Sequence, residues 1–77
     1  MLVKARVDIE DVEQHLAIEL PEGPYESVGG LIIHMLGRIG LEGDTVQVEG
    51  ARLIVHTAGR RRIKKVKIIR LEERAES

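Results

Sequence analysis

The sequence is a short chain of 77 residues with no cysteine and a single aromatic residue, Tyr25. This length predicts one small domain of modest stability, and the lack of cysteine excludes disulfides, thiolate zinc sites and cysteine nucleophiles. The net charge of −1 hides a strong polarity, because acidic residues dominate the range 1–50 and basic residues dominate the range 51–77.

The first part of the chain predicts a strand followed by a short helix. Alternating polarity over residues 2–7 indicates a half-buried strand. Asp8 fits the N-cap of a helix that runs to about Ala17. Two prolines and a glycine within residues 20–24 cannot continue a helix, so this stretch is expected to be a loop. The residues expected to face inward are Val3, Ala5 and Val7 in the strand, and Ile9, Val12 and Leu16 in the helix.

Residues 27–39 carry the clearest periodic signal in the chain, a continuous apolar stripe at helical spacing. Ser27 stands where an N-cap belongs, and Gly40 is expected to end the helix in the left-handed conformation. Gly29 and Gly30 each cost up to about 1 kcal/mol against alanine in a helix interior, so another backbone is expected to pack closely there. The stripe consists of Val28, Leu31, Ile32, Met35, Leu36 and Ile39.

The second half of the chain predicts three strands. The first two flank a tight hairpin at residues 49–50, and the last spans residues 60–71. The spacing of Ile63 and Val66 breaks strict alternation and predicts a bulge near residues 64–65. The order β-α-α-β-β-β indicates an α+β domain with two helices packed on a four-stranded sheet. The inward rows are expected to be Val46 and Val48, then Leu53, Val55 and Thr57, then Ile63, Val66 and Ile68.

Residues suited to catalysis or metal binding are few. Ser27 and His34 are present, but the serine fits a helix cap and no carboxylate is placed to orient the histidine. Asp11 and His15, four residues apart on the first helix, are the weak candidates for a metal site, and an acidic, solvated helix is the simpler interpretation. We therefore predict no catalytic residue and no enzymatic activity.

The basic residues of the last strand are candidates for an interaction surface. Strand alternation is expected to send their charges to both sides of the sheet, and no aromatic residue accompanies them, which argues against nucleic acid. An anionic membrane surface or an acidic neighbouring domain suits them better. Ile33 and Ile54 fall outside the predicted buried rows and could mark a self-association surface. The basic candidates are Arg60, Arg61, Arg62, Lys64 and Lys65, with Lys67 and Arg70 further along.

Three runs of the sequence resemble the transporter-associated domain of the CorC and haemolysin-like (HlyC) family. They are LPEGPYESVGGLIIHMLGRI, EGDTVQVEGARLIV and GRRRIKKVKI. Gly30 matches a glycine that enters the helix, residues 36–39 match a Leu-Gly-Arg-Ile ending, and residues 43–44 match a Gly-Asp turn before the hairpin. The likeness extends over residues 3–70, including the apolar run at 53–55 and the Gly-Arg-Arg-Ile-like opening of the last strand. Ala5 departs from the pattern, because the family commonly has glycine there.

The resemblance implies a non-catalytic regulatory module that is usually the C-terminal, cytoplasmic part of an integral membrane protein. Such proteins carry a transmembrane region and a pair of CBS domains and are linked to magnesium and cobalt efflux. The CBS pair and the transmembrane region are the implied partners, and a homodimer and an anionic membrane surface are further candidates. The fold is similar to a half of the PCMH-type FAD-binding domains. The alternative is therefore a sensor that binds FAD, an adenine nucleotide or a divalent cation, although the residues themselves indicate no cofactor.

The domain is expected to occupy residues 1–71, with a polar tail at 72–77. No segment approaches the ~20 apolar residues of a membrane span, and the N-terminus lacks a signal-peptide core. The isolated domain is therefore expected to be soluble, and the parent protein would hold it on the cytoplasmic side of the membrane.

Overall fold

The computed structural model describes residues 1–71 and consists of two helices on one face of a four-stranded antiparallel sheet. The first strand pairs with the last, the last pairs with the third, and the second strand lies at the other edge beside the third. The predicted α+β class and element order are confirmed, whereas the predicted tail at 72–77 lies outside the described residues. The elements are β1 (Leu2–Lys4), α1 (Ile9–Leu16), α2 (Val28–Leu36), β2 (Thr45–Val48), β3 (Ala51–Ala58) and β4 (Ile63–Arg70).

An aliphatic core lies between the helices and one face of the sheet. Alternate residues of a strand point to opposite faces, and the inward rows of β2, β3 and β4 are buried while their neighbours are largely exposed. The other face of the sheet therefore has no covering layer within residues 1–71. None of the helices in this range is long and apolar enough to cross a membrane. The largest fully buried side chains are Leu31, Ile32, Leu53, Ile68, Val12, Val28, Val55 and Val66.

The backbone that follows β1 meets the start of α2. The strand predicted over residues 2–7 is shorter in the structure, because the chain turns after Lys4. The carbonyls that follow accept hydrogen bonds from the helix instead of from a neighbouring strand. The Val28 amide donates to the Val7 carbonyl at 3.0 Å, and the Gly29 amide donates to the Ala5 carbonyl at 2.8 Å. The close backbone approach predicted at Gly29 is therefore confirmed.

Helix α2 ends three residues earlier than predicted. Gly37, with φ of 75°, is the left-handed C-cap, and its amide donates to the Ile33 carbonyl at 2.8 Å. Gly40, the predicted terminus, is buried instead, and a Cβ at that position would lie 2.8 Å from Cγ2 of Val55. Of the two glycines near the end of the apolar stripe, the first ends the helix, and the second is required for space.

The bulge predicted near residues 64–65 is confirmed. The pairing of β3 with β4 shifts register on both sides of Thr57, which lies opposite Lys65, and the register passes over Lys64. The shift also corrects the predicted inward row, because Thr57 pairs with the exposed Lys65, while Ala58 pairs with the buried Ile63 and packs against the core. The last strand was predicted to begin at residue 60, but it begins at Ile63, because the three arginines before it form a turn.

Candidate functional site

An acidic groove of about 730 Å³ lies between α1 and the loop that joins the two helices. Six carboxylate side chains line it, and no basic side chain does. The apolar and aromatic part of the lining includes Ile9, Ile18, Leu20 and Tyr25. Together these residues form a concave anionic surface on the helical side of the domain. The carboxylates belong to Asp8, Glu10, Glu13, Glu19, Glu22 and Glu26.

Two side chains hold the loop that forms the floor of this acidic groove. The Leu20 amide donates to Oε2 of Glu13 at 2.7 Å, and the Tyr25 hydroxyl donates to the Pro21 carbonyl. The Tyr25 ring also packs against His34, with ring centroids 5.4 Å apart. Glu13 and Tyr25 therefore hold the loop of the acidic groove in place, and the His34 ring packs against Tyr25.

Asp11 and His15, the predicted metal candidates, are exposed on α1 and do not line the acidic groove. Within residues 1–71 no three histidine or acidic side chains are grouped closely enough to hold a metal ion. The pair alone offers two ligands on one helix face, which is fewer than a protein metal site ordinarily uses. The prediction remains that the chain holds no metal site, with this pair as the weak candidate.

A basic pocket of about 320 Å³ lies where β1 ends and β4 begins. The five basic side chains that line it are all exposed, and no side-chain hydrogen bond or ion pair engages them within residues 1–71. Arg60 and Arg61 are exposed in the adjacent turn but do not line the pocket. The lining residues are Lys4, Arg6, Arg62, Ile63, Lys64 and Lys65.

The bulge and the pairing of the first strand with the last bring these basic residues together. Lys4 pairs directly with Lys65, and the Ala5 amide donates to the Lys64 carbonyl at 2.9 Å. Because the bulge interrupts alternation, Lys64 and Lys65 are both exposed and both line the basic pocket. The expectation that alternation separates the charges is wrong for this pair. Sequence reasoning also missed Lys4 and Arg6 as members of the cluster, since only the long-range strand pairing indicates them.

The start of α2 has no free amide for an anion. The first two amides donate to carbonyls after β1, as described above, and the Gly30 amide donates to Oγ of Ser27 at 3.1 Å. The Leu31 amide donates to the Ser27 carbonyl at 3.0 Å. Ser27 is therefore the N-cap that the sequence predicts, the amides of residues 28–30 find partners outside the regular helix bonds, and the Leu31 bond is the first regular bond of the helix.

An ion pair joins two of the motifs that carry the family resemblance. Nη1 of Arg38, just after α2, lies 2.8 Å from Oδ2 of Asp44, the residue before β2. The same carboxylate oxygen accepts from the Leu41 amide at 2.8 Å. The hydrogen bond from Arg38, followed by that from the Leu41 amide, lowers the pKa of Asp44. The Leu-Gly-Arg-Ile ending and the Gly-Asp turn thus form one connection between α2 and the sheet.

The two isoleucines expected to mark self-association lie on opposite sides of the sheet. Ile33 is 37% exposed on α2, and Ile54 is half-buried on the open face, paired with Lys67. They do not form one patch, and self-association through them stays a prediction. The end of the apolar stripe is also uncovered, since Met35 and Ile39 are exposed although helical spacing predicted them inward.

Comparison with known proteins identifies the family of the chain. Residues 1–72 match the transporter associated domain family CorC_HlyC. A search of curated proteins found no match. The family match confirms the resemblance found in the sequence.

Solved structures share the fold over nearly the whole chain. A region of Neisseria meningitidis named for association with the Mg²⁺ and Co²⁺ transporter CorC is 27% identical, with a TM-score of 0.83, covering 91% of this chain and 86% of its own. A CorC_HlyC domain of a Xylella fastidiosa hemolysin, solved in complex with Mg²⁺ and Mn²⁺, is 27% identical with a TM-score of 0.79, covering 92% and 86%. The transporter associated domain of a Porphyromonas gingivalis CBS domain protein is 26% identical with a TM-score of 0.77, covering 92% and 87%. The present chain belongs to the CorC_HlyC family of transporter associated domains.

Proposed function

We propose that this chain is a non-catalytic regulatory module on the cytoplasmic side of a membrane ion-transport protein that also carries a CBS pair. The observation that carries the proposal is the family match over residues 1–72. It is supported by the relatives named for a Mg²⁺ and Co²⁺ transporter and for a CBS domain protein. The module modulates transport through contacts with the rest of the parent protein.

The charge distribution supports a role in docking. The domain presents an acidic groove on its helical side and a basic pocket at one end of its sheet. Complementary charge steers and orients protein contacts and contributes more to specificity than to affinity. The nearest approach to a catalytic arrangement, Ser27 with His34, is accounted for by a helix cap and an aromatic contact. A rigid body with two oppositely charged surfaces suits a module that contacts neighbouring domains.

The parent gene provides the first test. An open reading frame upstream of residue 1 that encodes hydrophobic spans and a CBS pair is the expected result. A genuine start site at Met1 would remove the transporter context and contradict the proposal.

The second test measures ion efflux by the parent protein after Arg60, Arg61 and Arg62 are replaced together by glutamine. All three are exposed in a turn, so the fold should persist while efflux changes because a docking contact is lost. A matched control neutralises the same number of charges with Arg52→Gln, Lys67→Gln and Arg70→Gln. Unchanged efflux in a folded turn variant would argue against docking through this turn.

A second candidate function is direct sensing of a divalent cation. The related Xylella domain was solved with Mg²⁺ and Mn²⁺, and the acidic groove here carries carboxylates, the oxygen ligands that these ions prefer, although no three of them are grouped as a ready metal site within residues 1–71. Titrating the labelled chain with Mg²⁺, Co²⁺, ATP and FAD while following amide chemical shifts separates the alternatives. Shifts confined to the acidic groove and caused by the cations support sensing, whereas an absence of shifts in that groove favours the interaction module.

A further inference from the structure

We propose that the basic pocket binds the phosphoryl group of an anionic ligand. The ligand class is a phosphate ester or pyrophosphate, carried by a soluble molecule or by a phospholipid headgroup. The inference concerns the isolated chain and does not depend on the regulatory role proposed above. It rests on the convergence of five basic side chains, Lys4, Arg6, Arg62, Lys64 and Lys65, around one concave site.

Long-range backbone pairing creates this convergence. Lys4 is the last residue of β1, and its antiparallel partner Lys65 is near the first residue of β4. The bond from the Ala5 amide to the Lys64 carbonyl, 2.9 Å long, extends the pairing one step beyond β1. The register shift then leaves Lys64 exposed beside Lys65 instead of directing the two to opposite faces. The pocket is thus built on paired strands and not on flexible surface chains alone.

The electrostatics of the basic pocket favour a multiply charged anion. No acidic side chain lines the site, and the ion pair found within residues 1–71 joins Arg38 and Asp44 elsewhere. Like charges that gather in one concavity repel one another, and the low-dielectric walls strengthen their combined field. A bound dianion removes this repulsion and forms charge-assisted hydrogen bonds with the same groups.

The kind of side chain in the pocket indicates which part of a ligand is recognised. Arginine donates in a fork that matches two phosphate oxygens, and lysine contributes a compact charge. The only apolar lining residue is Ile63, which is buried, and no aromatic ring is present to stack on a base or a flavin. Tyr25, the one aromatic residue of the chain, lines the acidic groove instead. Recognition therefore falls on the phosphoryl group and not on a ring system.

The first arm of the test uses sodium pyrophosphate and the isotope-labelled 77-residue chain. Amide shifts at residues 4–6 and 62–65 are expected. Replacing Lys4, Arg62 and Lys65 together by glutamine should weaken binding about tenfold or more relative to the control variant Arg52→Gln, Lys67→Gln, Arg70→Gln. Both triple variants remove three positive charges from exposed positions of the same sheet and its turn, so thermal unfolding should show both to be folded.

The second arm uses phosphatidylcholine vesicles with and without phosphatidic acid, and measures co-sedimentation of the same three proteins. Loss of binding in the pocket variant in the pyrophosphate arm supports a soluble phosphate source, and the same loss in the vesicle arm supports a headgroup. Equal losses in both variants would show diffuse charge attraction and would overturn the proposal. Absence of binding in both arms, or shifts remote from the basic pocket, would overturn it as well.

Discussion

Replacing Gly29 with alanine tests the close contact between α2 and the backbone after β1. A Cβ added at Gly29 would lie 2.9 Å from Cβ of Ala5 and 3.1 Å from its carbonyl oxygen. Real Cβ atoms essentially never approach an atom elsewhere in the chain within 3.0 Å, so the helix and the backbone after β1 must separate. The hydrogen bond from the Gly29 amide to the Ala5 carbonyl, 2.8 Å long, would lengthen with them.

The expected change in unfolding free energy is the sum of two destabilising terms and one stabilising term. Overpacking in a well-packed site costs about 1–3 kcal/mol, and a weakened backbone hydrogen bond costs about 1 kcal/mol. The helix preference for alanine over glycine offsets at most about 1 kcal/mol. The Gly29→Ala variant should therefore lose about 1–3 kcal/mol of unfolding free energy, and Tm should fall by about 4–8 °C for each kcal/mol in a domain of this size.

The assay is urea and thermal unfolding of four variants: Gly29→Ala, Gly30→Ala, Ala5→Gly and the double variant Ala5→Gly with Gly29→Ala. Gly30→Ala is the neighbouring control, because its nearest atoms are Cβ of Tyr25 at 3.1 Å and Oγ of Ser27 at 3.3 Å, which predicts a smaller loss. Ala5→Gly combined with Gly29→Ala removes the tightest contact. The double variant should therefore lose less unfolding free energy than the two single variants lose in sum, by at least about 0.5 kcal/mol. A Gly29→Ala protein as stable as the parent, or strictly additive effects, would refute the reasoning.

Three further predictions concern the two helix ends and the ion pair. Gly37→Ala should destabilise the domain by about 1 kcal/mol, because alanine is strained at a φ of 75° although the space around it is open. Ala17→Gly should stabilise the domain by up to about 1 kcal/mol, because Ala17 has a φ of 56°, which glycine adopts without strain. An unfolding free energy that does not fall in Gly37→Ala, or does not rise in Ala17→Gly, would contradict the corresponding prediction. For Asp44, the pKa is lower in the folded protein than in the unfolded chain, so its contribution to stability is present above the unfolded pKa of about 4 and is lost as pH falls through the folded pKa. The stability gap between the parent and Asp44→Asn, measured by urea unfolding, should therefore narrow between near-neutral and acidic pH, and a gap independent of pH would argue against the ion pair with Arg38.

Short-range patterns predicted most of the fold because the interactions behind them are short-range. The stripe of α2 depends on contacts three and four residues apart, and the cap at Ser27 depends on an amide three residues away. The bulge near Lys64 and Lys65 followed from an interruption of period two. The end of α2 could not be predicted in the same way, because one glycine, Gly37, lies within the stripe and another, Gly40, follows it, and only the packing of Gly40 against Val55 separates their roles.

The candidate sites divide in the same way. The basic residues of β4 could be identified from the sequence. That Lys4 and Arg6 line the same pocket could not be predicted, because this requires β1 to pair with the last strand. The acidic groove likewise depends on how the loop after α1 folds back onto Glu13. Neither arrangement leaves a periodic trace in the sequence.

By itself, the sequence determined the class of the domain, the order of its elements, the start of its central helix and its family, since these depend on local periodicity, capping and motif order. Tertiary structure alone decided where β1 ends, which glycine requires conformational freedom and which requires space, and which charges share a surface. The physical reason is that these features depend on register and packing between segments far apart in the chain. Lys4 and Lys65, sixty-one positions apart in the sequence, become direct neighbours only when the sheet closes.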